Sequence, residues 1–165
     1  MEVKAFAVCL LVTIVAAGFA PAAAAQAPAR PSYGAEVNLE TAKKIAAGAM
    51  AEAAKNKWPV AVAIVDNHGM LIYYEMMDDT QTAGATISIE KARTAAMFRR
   101  PSKDFEDRVA GAGVGVAVLG IPGATPIDGG LPIMAGGKVI GGVGVSGMAA
   151  SQDAVVAKAG LDALK

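Results

Sequence analysis

The side chains best suited to ligate a metal lie close together in residues 68–77. This segment contains the only histidine of the chain, His68, two adjacent tyrosines, Tyr73 and Tyr74, and three methionines. Imidazole, phenolate and thioether groups all serve as axial ligands of iron in haem proteins. The same residues also fit a turn histidine beside strand residues that pack on a core. Spacing alone therefore leaves both interpretations open.

A second group of candidate residues is basic and lies in residues 91–103. Its members are Lys91, Arg93, Arg99, Arg100 and Lys103. An arginine can bind a carboxylate through two parallel hydrogen bonds, so one or two of these side chains could pair with the carboxylates of a ligand. The alternative is a solvated helix face that neighbouring acidic residues partly balance.

Several other kinds of site are disfavoured. Residues 142–147 fit the pattern G-x-G-x-x-G, but a dinucleotide site also needs a following strand with an acidic residue, and only a helix is predicted after them. We therefore expect no nicotinamide dinucleotide. One Cys with one His excludes a zinc site built from these two residue types. A formal net charge of zero argues against binding to nucleic acid.

The first 25 residues have the pattern of a secretory signal peptide. Lys4 precedes a short apolar run and a series of small residues, and Ala23 and Ala25 satisfy the small-x-small rule for cleavage after Ala25. The apolar run is short for a transmembrane helix. We expect a periplasmic or secreted protein with no membrane span after cleavage.

The remaining chain reads as a flexible leader, residues 26–37, followed by one domain, residues 38–165. Asn38 is suited to cap a first helix. Strands are predicted at residues 60–65, 70–77, 113–119, 131–134 and 139–145, and further helices at 85–99, at 102–109 and from 151 onward. Tight turns at 66–69 and 135–138 indicate hairpins. The predicted fold is α+β, a central antiparallel sheet of about five strands with helices packed mainly on one face.

Many of these residues resemble the GlcG/HbpS family of haem-degrading-like proteins, which also includes the C-terminal domain of PduO-type enzymes. The resemblance covers about residues 39–164 and rests on Val65-Asp66, Gly69, Leu71, Glu75-x-Met77-Asp78, and residues 89–96, 129–133, 136, 140–147, 152–153 and 159–160. Many relatives carry Gly-Gly-His-Leu in the first hairpin, whereas this chain has His68-Gly69-Met70-Leu71. The histidine therefore stands two positions earlier.

The resemblance implies a homo-oligomer that binds a small ligand, with haem or another tetrapyrrole as the expected cofactor and a sensing or sequestering role. His68 is then the expected iron ligand, with Tyr73 or Tyr74 as replacements, and Arg93 or Arg99 would meet the propionates. Two alternatives remain open. One is an enzyme of small organic-acid metabolism with Arg93 and Asp128 near the substrate, and the other is a structural oligomer without a ligand.

Overall fold

The structure is a computed structural model that describes residues 29–165, so the predicted signal peptide lies outside it. No helix within that range is both long and apolar enough to cross a membrane. The elements in chain order are α1 (Leu39–Asn56), β1 (Ala61–Asp66), β2 (Leu71–Met76), α2 (Ala83–Phe98), α3 (Lys103–Ala110), a 3-10 helix (Gly113–Gly120), β3 (Gly130–Ala135), β4 (Lys138–Ser146) and α4 (Ala150–Asp162). As predicted, Asn38 caps α1, because its side chain accepts a hydrogen bond from Thr41 N at 2.8 Å.

The sheet has four strands in the order β2-β1-β4-β3, and every neighbouring pair is antiparallel. This confirms the α+β class and corrects the expected number of strands. Residues 113–119, predicted as a strand, form the 3-10 helix instead. The alternation of glycine and valine there imitates the two-residue period of a strand, yet the segment packs on α3, and a Cβ at Gly115 would lie 1.9 Å from Arg108 O.

Helices cover both faces of the sheet, which corrects the prediction that they pack mainly on one face. All six residues of β1 are buried. Val62 and Ile64 belong to a core that includes α1 and α4, whereas Ala63 and Val65 pack against Ala92 of α2. Successive residues of a strand point to opposite faces, so a strand without polar alternation requires a layer on each side.

Glycines of β4 allow α2 to approach the sheet at backbone distance. A Cβ added to Gly144 would lie 2.0 Å from Ser88 O, and one added to Gly142 would lie 2.3 Å from Ala92 O. Gly142 and Gly144 of the glycine-rich motif therefore serve helix packing, whereas a Cβ at Gly147 would lie 2.2 Å from Pro59 O.

The end of the expected leader is hydrogen-bonded to the folded domain. Gly34 N donates to Val139 O at 2.9 Å, and Val139 N donates to Ser32 O at the same distance. The Tyr33 hydroxyl donates to Met97 O at 2.7 Å. These contacts place the segment beside β4 and satisfy a carbonyl at the C-terminal end of α2.

Candidate ligand-binding site

The turn between β1 and β2 holds His68 out in solvent. Asp66 Oδ1 accepts hydrogen bonds from His68 N at 2.8 Å and from Met70 N at 2.9 Å, and Gly69 supplies the positive φ of 84° that closes the turn. The predicted turn is therefore present. Its geometry fixes the backbone of His68 and leaves the imidazole free to meet a ligand.

The turn rests on the C-terminal half of α2. Arg93 Nε donates to Gly69 O at 2.9 Å, and Arg93 also pairs with Glu90 at 2.7 Å. A Cβ at Gly69 would lie 2.9 Å from Met97 Sδ, so only glycine permits this close contact. The structure thus brings two predicted site residues, His68 and Arg93, to the same end of the sheet.

An open groove of about 320 Å³ lies beside the turn, lined by Tyr33, Asn67, His68 and Met97. We call it the His68 groove. The guanidinium of Arg99, another predicted site residue, lies over the Tyr33 ring, 5.1 Å from its centre, and donates to Pro31 O at 3.1 Å. The volume is at the lower end of the range for small-molecule sites. A flat ligand could therefore insert one edge here.

A carboxylate orients the imidazole of His68. Its Nδ1 lies 3.0 Å from Glu36 Oε1, and both side chains are largely exposed. A histidine whose Nδ1–H is held by a carboxylate presents Nε2 as the metal ligand. Glu36, Asp66 and His68 also offer three ligand atoms within 4.8 Å of one another, although Asp66 already accepts the two hydrogen bonds of the turn.

The structure places Tyr73 and Tyr74 away from the groove and on opposite faces of the sheet. Tyr73 packs on the core formed with α1 and α4, and Tyr74 packs on the core formed with α2. Burial raises the pKa of both hydroxyls, and at Tyr73 the neighbouring carboxylate of Glu75 raises the pKa further. The phenolate form that would ligate iron is therefore disfavoured at both positions.

The residues proposed for an organic-acid enzyme are not brought together. Arg93 lies at the turn that follows Asp66, which pairs with Gly141 of β4. Asp128 precedes Gly129, whose carbonyl accepts from Val145 N near the other end of β4. Gly141 and Val145 are four residue steps apart along β4, or roughly 13 Å.

Lys91 lies in the interior, not on a solvated helix face as the basic cluster suggested. Its side chain is 1% exposed, and Nζ lies 2.8 Å from Asp153 Oδ2 and 3.0 Å from Val145 O. Burial raises the pKa of Asp153 above its ordinary value, and the hydrogen bond from Lys91 opposes this effect. In the structure Lys91 lies on the buried side of α2 with Ser88 and Ala95. A lysine three residues after a serine gives no apolar pattern, so the sequence held no signal for this burial.

Four residues of the site were not found as site residues by sequence reasoning, and one of them, Asn67, was predicted only as part of a turn. Tyr33 and Glu36 belong to the segment expected to be a flexible leader, where prolines and a glycine obscure any period. Met97 reads as an ordinary helix residue. An aromatic residue in a stretch of small residues was the one available signal at Tyr33, since such a ring usually packs on something.

Comparison with known proteins gives consistent matches across this domain. A family model described as haem degrading protein HbpS-like matches residues 37–162. Protein GlcG of Escherichia coli strain K12 is 42% identical over 110 residues, which cover 67% of this chain and 81% of GlcG. An uncharacterized 15.0 kDa protein of Citrobacter freundii is 36% identical over 130 residues, covering 78% of this chain and 92% of that protein.

Solved structures resemble the whole described fold. A double mutant of HbpS from Streptomyces reticuli is 30% identical and superposes with a TM-score of 0.74, covering 87% of this chain and 99% of that one. PduOC in complex with haem is 26% identical with a TM-score of 0.70, covering 78% of this chain and 94% of that one.

Proposed function

The chain belongs to the HbpS-like family, and from this premise we propose that it is an exported protein that binds haem or another tetrapyrrole in the His68 groove. A sensing or sequestering role would follow from reversible binding. The relative crystallised with haem, PduOC, supports the choice of ligand.

The exposed imidazole of His68, held through Nδ1 by Glu36 at the wall of the groove, is the observation that carries this proposal. The donor set fits haem, because a neutral imidazole nitrogen is a common axial ligand and Met97 and Tyr33 give the groove an apolar wall. Bound haem would supply an iron centre for Nε2 of His68. The protein itself supplies the orientation of the ring and the shape of the groove.

Arg93 and Arg99 would meet the propionates of the ligand. Arg93 uses Nε and one Nη in hydrogen bonds, and Arg99 uses one Nη. A guanidinium has five N–H donors, so both side chains retain donors for a carboxylate. Arg93 lies on α2 and Arg99 directly follows this helix, on either side of Met97, and these positions favour a ligand that enters the groove with its charged edge toward α2.

A homo-oligomer is part of the same proposal. The groove is open and small for a tetrapyrrole, so a second copy would be needed to cover the rest of the ligand. The 3-10 helix also exposes apolar side chains, with Val114 96% and Leu119 64% exposed. Apolar groups clustered on a surface in this way are typical of an interface.

The test of the site is haem titration of His68→Ala. We expect at least a tenfold loss of affinity, or about 1.4 kcal/mol, and a shift of the Soret maximum, because the axial ligand is removed. Tyr73→Phe and Tyr74→Phe are matched controls that should leave both quantities unchanged. An unchanged affinity and Soret maximum in His68→Ala would exclude His68 as the ligand.

Export is tested separately by the intact mass of the protein recovered outside the cytoplasm. Ala23 and Ala25 define the expected cleavage site, so the mature chain should begin at Gln26. Recovery of the uncleaved chain from the cytoplasm alone would contradict export and leave the proposed ligand untouched.

A further inference from the structure

Four arginines converge on a second pocket, and the proposed haem site uses only one of them, Arg99. It has a volume of about 330 Å³ and is lined by Ala29, Arg30, Pro31, Arg99, Arg100, Asp104 and Arg108. We call it the arginine pocket. Its charged groups come from three directions: the segment before α1, the end of α2, and α3.

The positive charge of this pocket is poorly balanced. Within residues 29–165, none of the four guanidiniums lies within 4.0 Å of a carboxylate oxygen, and Asp104 is the one acidic residue of the described lining. Arg30 donates to Phe98 O and Arg99 to Pro31 O, which are neutral acceptors. Each guanidinium carries a positive charge, so the four side chains repel one another across the pocket.

Arg100 adds a second, independent observation. Its Nε is buried and has no hydrogen-bond partner among the described residues. The guanidinium stacks on Phe105, with 4.2 Å between Cζ and the ring centre, so packing fixes its position. Desolvation, followed by repulsion from Arg30 and Arg108, lowers the pKa of Arg100, whereas Asp104 opposes that shift. A buried donor without a partner is costly, and the stack on Phe105 helps to hold the guanidinium at the pocket despite that cost.

We infer that the arginine pocket binds a tetrahedral oxyanion with two negative charges, the group that inorganic phosphate and phosphomonoesters share. Guanidiniums that approach from three directions suit a tetrahedral anion better than a single planar carboxylate. Such an anion would neutralise the mutual repulsion of the four side chains. The stack of Arg99 on Tyr33 lies between this pocket and the His68 groove, so Arg99 is the one arginine that the two proposed sites share.

The experiment is calorimetric titration of the haem-free protein with inorganic phosphate and, in a second arm, with glycerol phosphate at equal ionic strength. We expect saturable binding to one site in at least one arm. The tighter of the two ligands identifies whether the free ion or an ester is preferred. Absence of saturable binding in both arms would overturn the inference.

The variants Arg108→Gln and Arg30→Gln test where the anion binds. Arg108 is exposed, so its replacement should leave the fold intact, as circular dichroism would verify. We expect each variant to weaken binding at least tenfold, whereas Lys43→Gln, which removes one exposed charge from α1, should not. If Arg108→Gln and Lys43→Gln bound the phosphate ligand with equal affinity, the loss of any positive charge would have the same effect, and the site would be refuted.

Haem titration of Arg108→Gln separates this inference from the proposed haem function. We expect the affinity for haem to equal that of the unmodified protein. A parallel loss of haem affinity would show that the pocket serves the tetrapyrrole, and would overturn the assignment of a separate oxyanion.

Discussion

At the scale of single residues, the buried pair of Lys91 and Asp153 ties α2 to α4. Both side chains are almost fully buried, and Asp153 also accepts a hydrogen bond from Met148 N at 3.0 Å. Moving two charges out of water is costly, so such a pair is stable only while both partners and their hydrogen bonds are present. The pair therefore links two helices that lie on opposite faces of the sheet.

Removing one member of this pair should destabilise the protein strongly. We expect Lys91→Met to lower the free energy of unfolding by about 3–5 kcal/mol, because Asp153 would be left as an uncompensated buried carboxylate. The double variant Lys91→Met with Asp153→Leu should be more stable than Lys91→Met alone. Urea denaturation measures both. A double variant whose loss equals the sum of the two single losses would show that the residues do not act as a pair.

Whether the sequence predicts the contacts of a residue depends on how close in the chain its partners lie. The turn that presents His68 depends on Asp66 and Gly69, which lie within the same four residues, and the sequence was sufficient to predict it. The partners of Lys91 and His68 are Asp153 and Glu36, which come from other parts of the chain. No local pattern identifies such partners, so the sequence left Lys91 either paired with a ligand carboxylate or on a solvated helix face, and it lies at neither.

At the scale of elements, the contact between α2 and β4 depends on glycine. We expect Gly144→Ala to lower the free energy of unfolding by at least about 1–3 kcal/mol, because the new Cβ would overlap the backbone of α2 at Ser88 and Ala92. Gly120→Ala is the matched control, since a Cβ there meets no atom within 4 Å. Thermal or urea unfolding should separate the two variants. Equal stabilities would contradict the close packing of helix and strand.

The strands and helices differ in how clearly the sequence predicts them. The continuous apolar run of β1 is typical of a strand buried on both faces, and such a strand requires a layer of helices on each side of the sheet. The expectation that helices pack mainly on one face did not take the apolar run of β1 into account. The sequence of residues 113–120 does not reveal that this segment packs on α3, because that packing depends on the close contact between Gly115 and the backbone of Arg108.

At the scale of the whole molecule, the exposed apolar residues of the 3-10 helix bear on assembly. We expect the double variant Val114→Ser with Leu119→Ser to shift the protein to a smaller species in light scattering, because the proposed interface would lose apolar area. Val155→Ser, which changes an exposed residue of α4, is the control. A mass unchanged from the unmodified protein would remove the 3-10 helix from the interface.

The pairing of residues 32–37 with β4 has a consequence for the order of folding. During synthesis these residues emerge early, but Val139 and Ile140, their hydrogen-bond partners, emerge near the end. Contacts between such distant parts of a chain form slowly, because a long loop must close first. Tyr33, which forms one wall of the groove, therefore takes its place only after β4 has been made, and a nascent chain has no complete binding site until then.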